Sequence, residues 1–316
     1  MENNAKSERF KYQHSWSITQ TLEKLIEALR AGWDISISTS GSSGAPKEIL
    51  IPASAMIFSA RNSNTYLGAK PGDRWSLLLS PEHTAGLNVL VRSIELGTIP
   101  VTENEIADFT AIVPTLLFRA LNGDLKLLNH LQGCKAVLVG GAAADENLLA
   151  QAKAKGINCV TTYGMTETSG GCIYNGTALP GVEIRIGETI EIKGPMLARV
   201  ELKDGYFVTS DLGKIEDGKL IILGRADDVI NSGGKKVSLS KVENALGDAF
   251  AAFGSDSSEW GAALNIATTS NMSDEEIQLI LSVKFGVKAI NIFRVNEIPR
   301  TALEKIDRQA LGKLIP

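Results

Sequence analysis

Between about residue 35 and residue 163, runs of strand length alternate with runs of helical spacing, and this alternation restricts the fold more than any other feature. "WDISIS" alternates as a short strand does, and after Pro52 the stretch "ASAMIFSARNSNTYLG" predicts a helix ending at Gly68. "RWSLLLS" (74 to 80) predicts a strand, and "TAGLNVLVRSIELG" (84 to 97) predicts a helix stopped by its glycine. "TAIVPT", then "KAVLVGG" before "DENLLAQAKAKG", then "INCVTTYG" repeat the pattern. Strands separated by helices form a parallel sheet covered by those helices. Ligands of such α/β sheets sit at the carboxyl ends of the strands.

Around residue 182 short strands with tight turns take over: "VEIRIG", "TIEIKG", "RVELKDGYFVTSDLG" and "KIEDGKLIILG". Asp204-Gly205 and Asp217-Gly218 are hairpin signals. After Gly224 mixed patterns return, with helices expected near 240 to 250 and 273 to 285 and a strand in "INIFRV". That is enough for a small domain of about ninety residues. The expected division is 1–225 and 226–316, and 316 residues are ample for two domains.

A net charge of -4 argues against broad binding of nucleic acid or anionic membrane, while leaving room for a local basic pocket. Cys134, Cys159 and Cys172 form neither an even set nor a pair of metal-ligand spacing, so they are expected reduced and structural. "MENNAKSERFKYQH" lacks the apolar core of a signal peptide, and no run approaches the roughly eighteen apolar residues of a membrane span. A cytoplasmic protein is expected.

"STSGSSGAPKEIL" (38 to 50) reads as a loop between a strand and a helix. Serine and glycine runs also serve as plain connectors. Here the glycines Gly41 and Gly44 let the backbone approach an anion, and Thr39, Ser40, Ser42 and Ser43 offer hydroxyl donors. Lys47 adds a mobile positive charge, so a polyphosphate fits these parts. The usual P-loop ends in Gly-Lys-Ser/Thr, whereas Pro46 and Lys47 follow here.

Other stretches carry candidate chemistry beside a simpler reading. "GGAAAD" leaves the backbone of Gly140, Gly141 and Ala142 open to a flat ring, or is a turn with Asp145 as helix cap. "YGMTETSGG" offers the ring of Tyr163, the backbone of Gly164, the hydroxyl of Thr166 and the carboxylate of Glu167, suited to a base, a phosphate and Mg2+. Asp211 in "TSDLG" suits vicinal ribose hydroxyls, and Arg225 in "GRADD" precedes the expected boundary; either also suits a surface ion pair. Gly233 and Gly234 in "NSGGKKVS" form a turn or a loop approaching a ligand, and Lys305 in "PRTALEKIDRQAL" is a surface charge or a catalytic cation.

In this order the pieces resemble the adenylate-forming acyl-CoA synthetase superfamily along nearly the whole chain from Ser38 to Leu311. "TSGSSGAPK" resembles its phosphate loop, "GGAAA" its adenine loop, "YGMTET" its nucleotide and magnesium motif, and "TSDLG" its ribose aspartate. "GRADDVINSGGKKVSLSKVEN" resembles its hinge motif and "PRTALEKIDR" its C-terminal lysine motif. Within the superfamily, "PEHTAGLNVLVRSIELGTIPV" and "AIVPTLLFRAL" are similar to the o-succinylbenzoate-CoA ligase family of menaquinone biosynthesis, especially its short bacterial forms. Only 38 residues precede Thr39, a truncated front end by superfamily standards.

The resemblance implies an α/β fold: a large N-terminal AMP-binding domain of mixed and parallel sheets covered by helices, plus a small mobile α+β lid. It implies ATP and Mg2+, with CoA as co-substrate, o-succinylbenzoate as the acid, and neither nucleic acid nor membrane insertion; a homodimer is compatible with it. The acid is first joined to AMP with loss of pyrophosphate, and CoA thiol then displaces AMP. Lys305 is implied as the catalytic cation, Thr166 as the α-phosphate contact and Glu167 as the magnesium ligand. Thr39 to Lys47 hold the pyrophosphate, Tyr163 and Gly140 to Ala142 the adenine, and Asp211 and Arg225 the ribose. Asp227 matches the hinge, and Gly233-Gly234 the segment that arrives for thioester formation. His83 matches the mouth of the acyl pocket, against helix capping or a packed imidazole as its simpler role. Arg92 is a candidate for the second carboxylate of the acid, against a solvated helix arginine. One departure is Glu304, where the family usually has glycine. A ligase for another aromatic or medium-chain acid, or a non-catalytic adenylate-binding protein, is the alternative.

Overall fold

The computed structural model describes residues 8–40, 46–142, 144–257, 261–300 and 306–315. Gly41, Ser42, Ser43, Gly44, Glu304 and Lys305 lie outside the described residues, as do the side chains of Ser40 and Asp227. The chain divides into two compact units: Met1–Gly187 with Glu191–Thr209 and Ile215–Ile221, and Glu188–Ile190 with Ser210–Lys214 and Ile222–Pro316.

The first unit opens with β1 (Arg9–Lys11), α1 (Ile18–Ala31), β2 (Asp34–Ser40), β3 (Pro46–Pro52) and α2 (Ala53–Tyr66). Helix α1 starts at a capping box of Ser17 and Gln20 and ends at Gly32, whose φ of 74° suits the left-handed C-cap. Its Leu22, Leu25, Ala28 and Leu29 pack in one core with Ile35 and Ile37 of β2 and Ile49 and Ile51 of β3. Strand β2 lies between a parallel β1 and an antiparallel β3. The serine-glycine loop therefore joins two strands of a hairpin, not a strand and a helix as the sequence suggests. Strand β3 is hard to read because two terminal prolines and Lys47-Glu48 leave it only a three-residue apolar run without polar alternation.

Next come β4 (Trp75–Ser76), α3 (Thr84–Glu95), β5 (Phe109–Ile112), α4 (Pro114–Leu121), α5 (Leu125–Gly133), β6 (Ala136–Val139), α6 (Glu146–Ala154), β7 (Cys159–Met165), β8 (Gly170–Tyr174) and β9 (Thr177–Ala178). They build a sheet in the order β4-β5-β6-β7-β8-β9, parallel from β4 to β7 and antiparallel thereafter. Strand β4 spans two residues rather than the seven of "RWSLLLS". Beyond Ser76 the chain instead runs under α3, where a Cβ on Gly86 would lie 2.2 Å from the Ser80 carbonyl oxygen. Only glycine allows that approach.

Strands β10 (Glu183–Ile186), β11 (Ile190–Lys193) and β12 (Phe207–Val208) make a small sheet, and β13 (Asp211–Glu216) pairs with β14 (Lys219–Arg225). Asp217 and Gly218 turn between the last two with φ of 49° and 72°. Both angles are positive, as a two-residue hairpin turn of matching twist requires.

The second unit contains β15 (Val229–Ser232), β16 (Lys235–Ser238), α7 (Leu239–Leu246), β17 (Phe250–Ser257), β18 (Gly261–Thr268), α8 (Asp274–Phe285), β19 (Asn291–Arg294) and α9 (Arg308–Gly312). The sheet runs β16-β15-β18-β17, with β19 parallel to β18. Val242, Leu246, Ile277 and Leu281 of α7 and α8 bury one side with Leu264 and Ile266. A second cluster gathers Ala251, Phe253 and Ala267 with Leu311 of α9. Among the described residues no helix is long and apolar enough to cross a membrane.

Candidate functional site

The parallel strands place Ile112, Val139 and Thr161 in register, so the segments that follow them leave the sheet at one edge. Gly140 sits at that edge, its N–H donating to the Ile112 carbonyl at 3.1 Å. A Cβ there would meet Thr162 Oγ1 at 2.2 Å, and Gly141 has a φ of 82°, so both positions need glycine. Ala142 follows in an exposed bend.

Tyr163 and Gly164 lie near the end of β7, at a register shift against β8. A Cβ on Gly164 would lie 2.1 Å from the Gly170 carbonyl oxygen, a backbone atom that no rotamer change can move. Gly164→Ala is therefore expected to cost about 1–3 kcal/mol by overpacking. Urea unfolding checks this, and an alanine protein as stable as wild type would refute the packing argument.

Thr166, Glu167 and Thr168 form one 3-10 turn. Ser169 then adopts a left-handed φ of 51°, uncommon for a non-glycine residue. Its carbonyl accepts from Ser59 Oγ at 2.9 Å and Asn88 Nδ2 at 2.7 Å, and its own hydroxyl donates to the Met196 carbonyl at 2.6 Å. Those bonds hold the strained residue and, through it, the turn. Thr84, the first residue of α3, donates from Oγ1 to Thr166 Oγ1 at 2.9 Å. Ala198 N–H donates to the Glu167 carbonyl and Arg199 N–H to the Leu50 carbonyl, both at 2.8 Å, so adjacent residues tie the turn to β3.

The Glu167 carboxylate is half-buried and has no protein partner among the described residues. No cluster of three or more His, Cys, Asp or Glu suited to a metal occurs among the described residues either. A single free carboxylate matches magnesium carried by nucleotide phosphates, which needs only one or two protein carboxylates.

His83 precedes α3 and its side chain makes no capping bond, so capping is not its role. Thr39 donates from Oγ1 to the Lys47 carbonyl at 3.2 Å, and the Lys47 side chain is exposed. An open groove of about 370 Å³ runs past Lys47, Glu48, Ile49, residues 199–203, Phe207 and Val208. Lys47 is the one candidate lining it, so the strand-end constellation is the better candidate site.

Arg92 is not a solvated helix arginine: it is 3% exposed, on the α3 face shared with Thr84 and Asn88. Its guanidinium lies 4.8 Å over the Trp75 ring and reaches Tyr174 Oη at 3.4 Å, while Tyr174 Oη bonds Ser63 Oγ at 2.6 Å. Nε has no partner, and among the described residues Arg92 makes no ion pair. Burial lowers its proton affinity, with Tyr174 opposing. Burial likewise pushes the Cys134 and Cys172 thiols to about 12 and Cys159 to about 11, so none is poised as a nucleophile.

In the second unit, Arg225 lies 3.7 Å from Asp211 and caps the 3-10 turn Ala226–Asp228 that contains Asp227. Asp211 is 9% exposed. Gly233 and Gly234, with φ of 59° and 80°, form the exposed two-residue turn between β15 and β16. The structure thus gathers His83, Gly140 to Ala142, Tyr163, Gly164, Thr166 and Glu167 at one sheet edge. Asp211, Arg225, Asp227, Gly233 and Gly234 belong to the other unit. Thr84, Gly86, Asn88 and Ser169 support the site without having been singled out. A glycine inside a helical run and polar residues four apart on an apolar helix were their signals.

A model of the AMP-binding enzyme family matches residues 35–203. The chain is 36% identical over 341 residues to a protein of Mycobacterium tuberculosis described as a probable 2-succinylbenzoate–CoA ligase, covering 92% of this chain and 88% of that one. It is 28% identical to the 2-succinylbenzoate–CoA ligase of Listeria monocytogenes, covering 88% of this chain and 70% of the relative. Among solved structures, o-succinylbenzoate CoA synthetase from Bacillus subtilis, in complex with the acyl-adenylate intermediate OSB-AMP, shares the fold with a TM-score of 0.76. That match has 24% identity and covers 88% of this chain and 68% of the other. ATP-bound MatB from Rhodopseudomonas palustris matches with a TM-score of 0.75 at 22% identity, covering 89% and 67%.

Proposed function

The chain belongs to the AMP-binding enzyme family, and from that membership we propose that it is a 2-succinylbenzoate–CoA ligase, also called o-succinylbenzoate–CoA ligase, of menaquinone biosynthesis. Similarity along nearly the whole chain to a ligase so described carries this reading.

The chemistry is activation of a poor acyl donor. A carboxylate oxygen of the acid attacks the α-phosphorus of ATP, the bond to pyrophosphate breaks, and an acyl-adenylate forms. The sulfur of CoA then attacks the acyl carbon, the acyl–oxygen bond breaks, AMP leaves, and the thiol proton passes to solvent. Charge builds on the α-phosphate oxygens in the first step, where preorganised donors and cations stabilise it most. Thr166 donates there, and Lys305 supplies the cation. The segment from Thr39 to Lys47 holds the departing pyrophosphate. The open backbone of Gly140 to Ala142 and the Tyr163 ring hold adenine, while Asp211 and Arg225 hold the ribose. Glu167 would hold Mg2+, which would supply charge neutralisation for the leaving group. Residues 1–225 act as the AMP-binding domain and 226–316 as the lid. Asp227 serves as its hinge, and Gly233 and Gly234 serve in thioester formation. His83 steers the acid or the thiol.

Arg92 takes the second carboxylate of the acid. A buried guanidinium without a counterion among the described residues is costly, and an anion brought by the substrate relieves that cost. Loss of a charge-assisted bond worth about 1.5–3 kcal/mol predicts that Arg92→Ala raises KM for o-succinylbenzoate by roughly tenfold to a hundredfold. A folded Arg92→Ala protein with unchanged KM would remove the assignment.

The ligase reading is tested with purified protein, ATP, Mg2+, CoA and o-succinylbenzoate, with benzoate and octanoate in parallel, following AMP and thioester by mass. Thioester from o-succinylbenzoate alone is expected. Thioester from another acid keeps the mechanism and discards the substrate, and no thioester from any acid rejects the ligase.

A further inference from the structure

Resting on the assignment of Thr166 to the α-phosphate, we propose that Thr84 is a positioning residue that sets the direction of the Thr166 hydroxyl proton. A threonine hydroxyl carries one proton and two lone pairs, and its rotor is otherwise free. Thr84 Oγ1 donates to Thr166 Oγ1 at 2.9 Å and so occupies one of those lone pairs. The Thr166 proton must then point away from Thr84, free to meet a phosphate oxygen. Thr84 is 7% exposed at the start of α3, and its recorded side-chain hydrogen bond is to Thr166.

The donor is itself fixed. Four residues on, Asn88 Nδ2 donates to the carbonyl of Ser169 at 2.7 Å, so successive turns of α3 grip both ends of the 166–169 turn. The helix cannot slide relative to this turn without breaking both contacts. A donor oriented in advance costs no reorganisation when the anion arrives, and a hydroxyl that accepts one bond donates a stronger second one.

The test is calorimetric titration of AMP and of adenosine into wild type, Thr84→Val and Thr84→Ser, with thermal unfolding of each. Valine keeps the shape and removes the donor; serine keeps the donor. Thr84→Val is expected to weaken AMP by about fivefold, the scale of one neutral hydrogen bond, with adenosine unaffected and serine restoring AMP binding. In a Thr166→Ala background, Thr84→Val should have no further effect on AMP. Equal loss for AMP and adenosine, no loss for AMP, loss in the serine variant, or additivity with Thr166→Ala would overturn the proposal. Should Thr84→Val fail to fold, Thr84→Ala against Thr84→Ser gives the same contrast. AMP titration reads the contact whether or not any acid is turned over, so failure of the ligase assay is a separate result. A wild type that binds AMP no better than adenosine lacks the phosphate contact, and the proposal falls with it.

Discussion

Arg308→Ala should destabilise the second unit by about 1.5–3 kcal/mol, the scale of a hydrogen bond to a charged group, because the guanidinium keeps about a third of its surface in solvent while its carboxylate partners are largely buried. Arg308 lies 2.8 Å from Asp228 Oδ1 and 3.0 Å from both Glu243 oxygens, and its Nε donates to the Ala252 carbonyl at 3.2 Å. Asp228 also accepts from Ser240 N–H at 2.9 Å, and Glu243 from Ala252 N–H at 2.9 Å. Without the guanidinium, two buried carboxylates would share one site without a cation. The cluster joins α9, α7 and the turn containing Asp227, next in sequence to the candidate hinge and three residues beyond Lys305. Hydrogen exchange of the β17 amides would read the loss. Unchanged exchange would mean that this cluster adds nothing to the unit.

The same cluster predicts a pH dependence. Burial, reinforced by Asp228 and opposed by Arg308 and the Ala252 amide, pushes the Glu243 carboxyl up from 4.5 to about 7. A folded-state pKa above the unfolded one means that folded protein keeps a proton which unfolded protein has released. The contribution to stability is therefore full below about 4.5, falls as pH rises toward about 7, and is lost above it. Its size is on the order of 3 kcal/mol. Glu243→Gln keeps the hydrogen-bonding shape without the titration. The stability difference between wild type and Glu243→Gln should shift by that amount from pH 4 to pH 8, and a constant difference would refute the mechanism.

The second large effect is chemical. Lys305→Ala is expected to lower the adenylation rate by about 10²–10³, the scale of losing one preorganised group from a transition-state charge site. Thioester formation from preformed acyl-adenylate should fall far less, because that step displaces the α-phosphate instead of attacking it. Pyrophosphate exchange measures the first step and CoA consumption on supplied acyl-adenylate the second. Equal loss in both would contradict the role given to Lys305. Glu304 places a negative charge beside this lysine where the family usually has glycine, so Glu304→Gly should raise the exchange rate.

What the sequence determined by itself was local. The parallel run from β4 to β7 follows from apolar periodicity, and the Asp217-Gly218 turn from residues that tolerate positive φ. The cap Asp145 is read within four residues of the helix it starts. The strand-end position of the glycine and YGMTET motifs follows from the same periodicity. Tertiary structure alone decided the rest. It paired β2 with β3 as antiparallel neighbours, because β3 is recognised by its partner β2 and not by its own short pattern. It ended β4 at Ser76 because Gly86 of α3 comes against the following backbone. It buried Arg92 beside Trp75 and Tyr174, and it brought Thr84 to Thr166 across 82 residues of chain. Periodicity records which side of an element faces inward. Which polar groups meet there depends on contacts between residues far apart in the chain, and no short stretch of sequence carries that information.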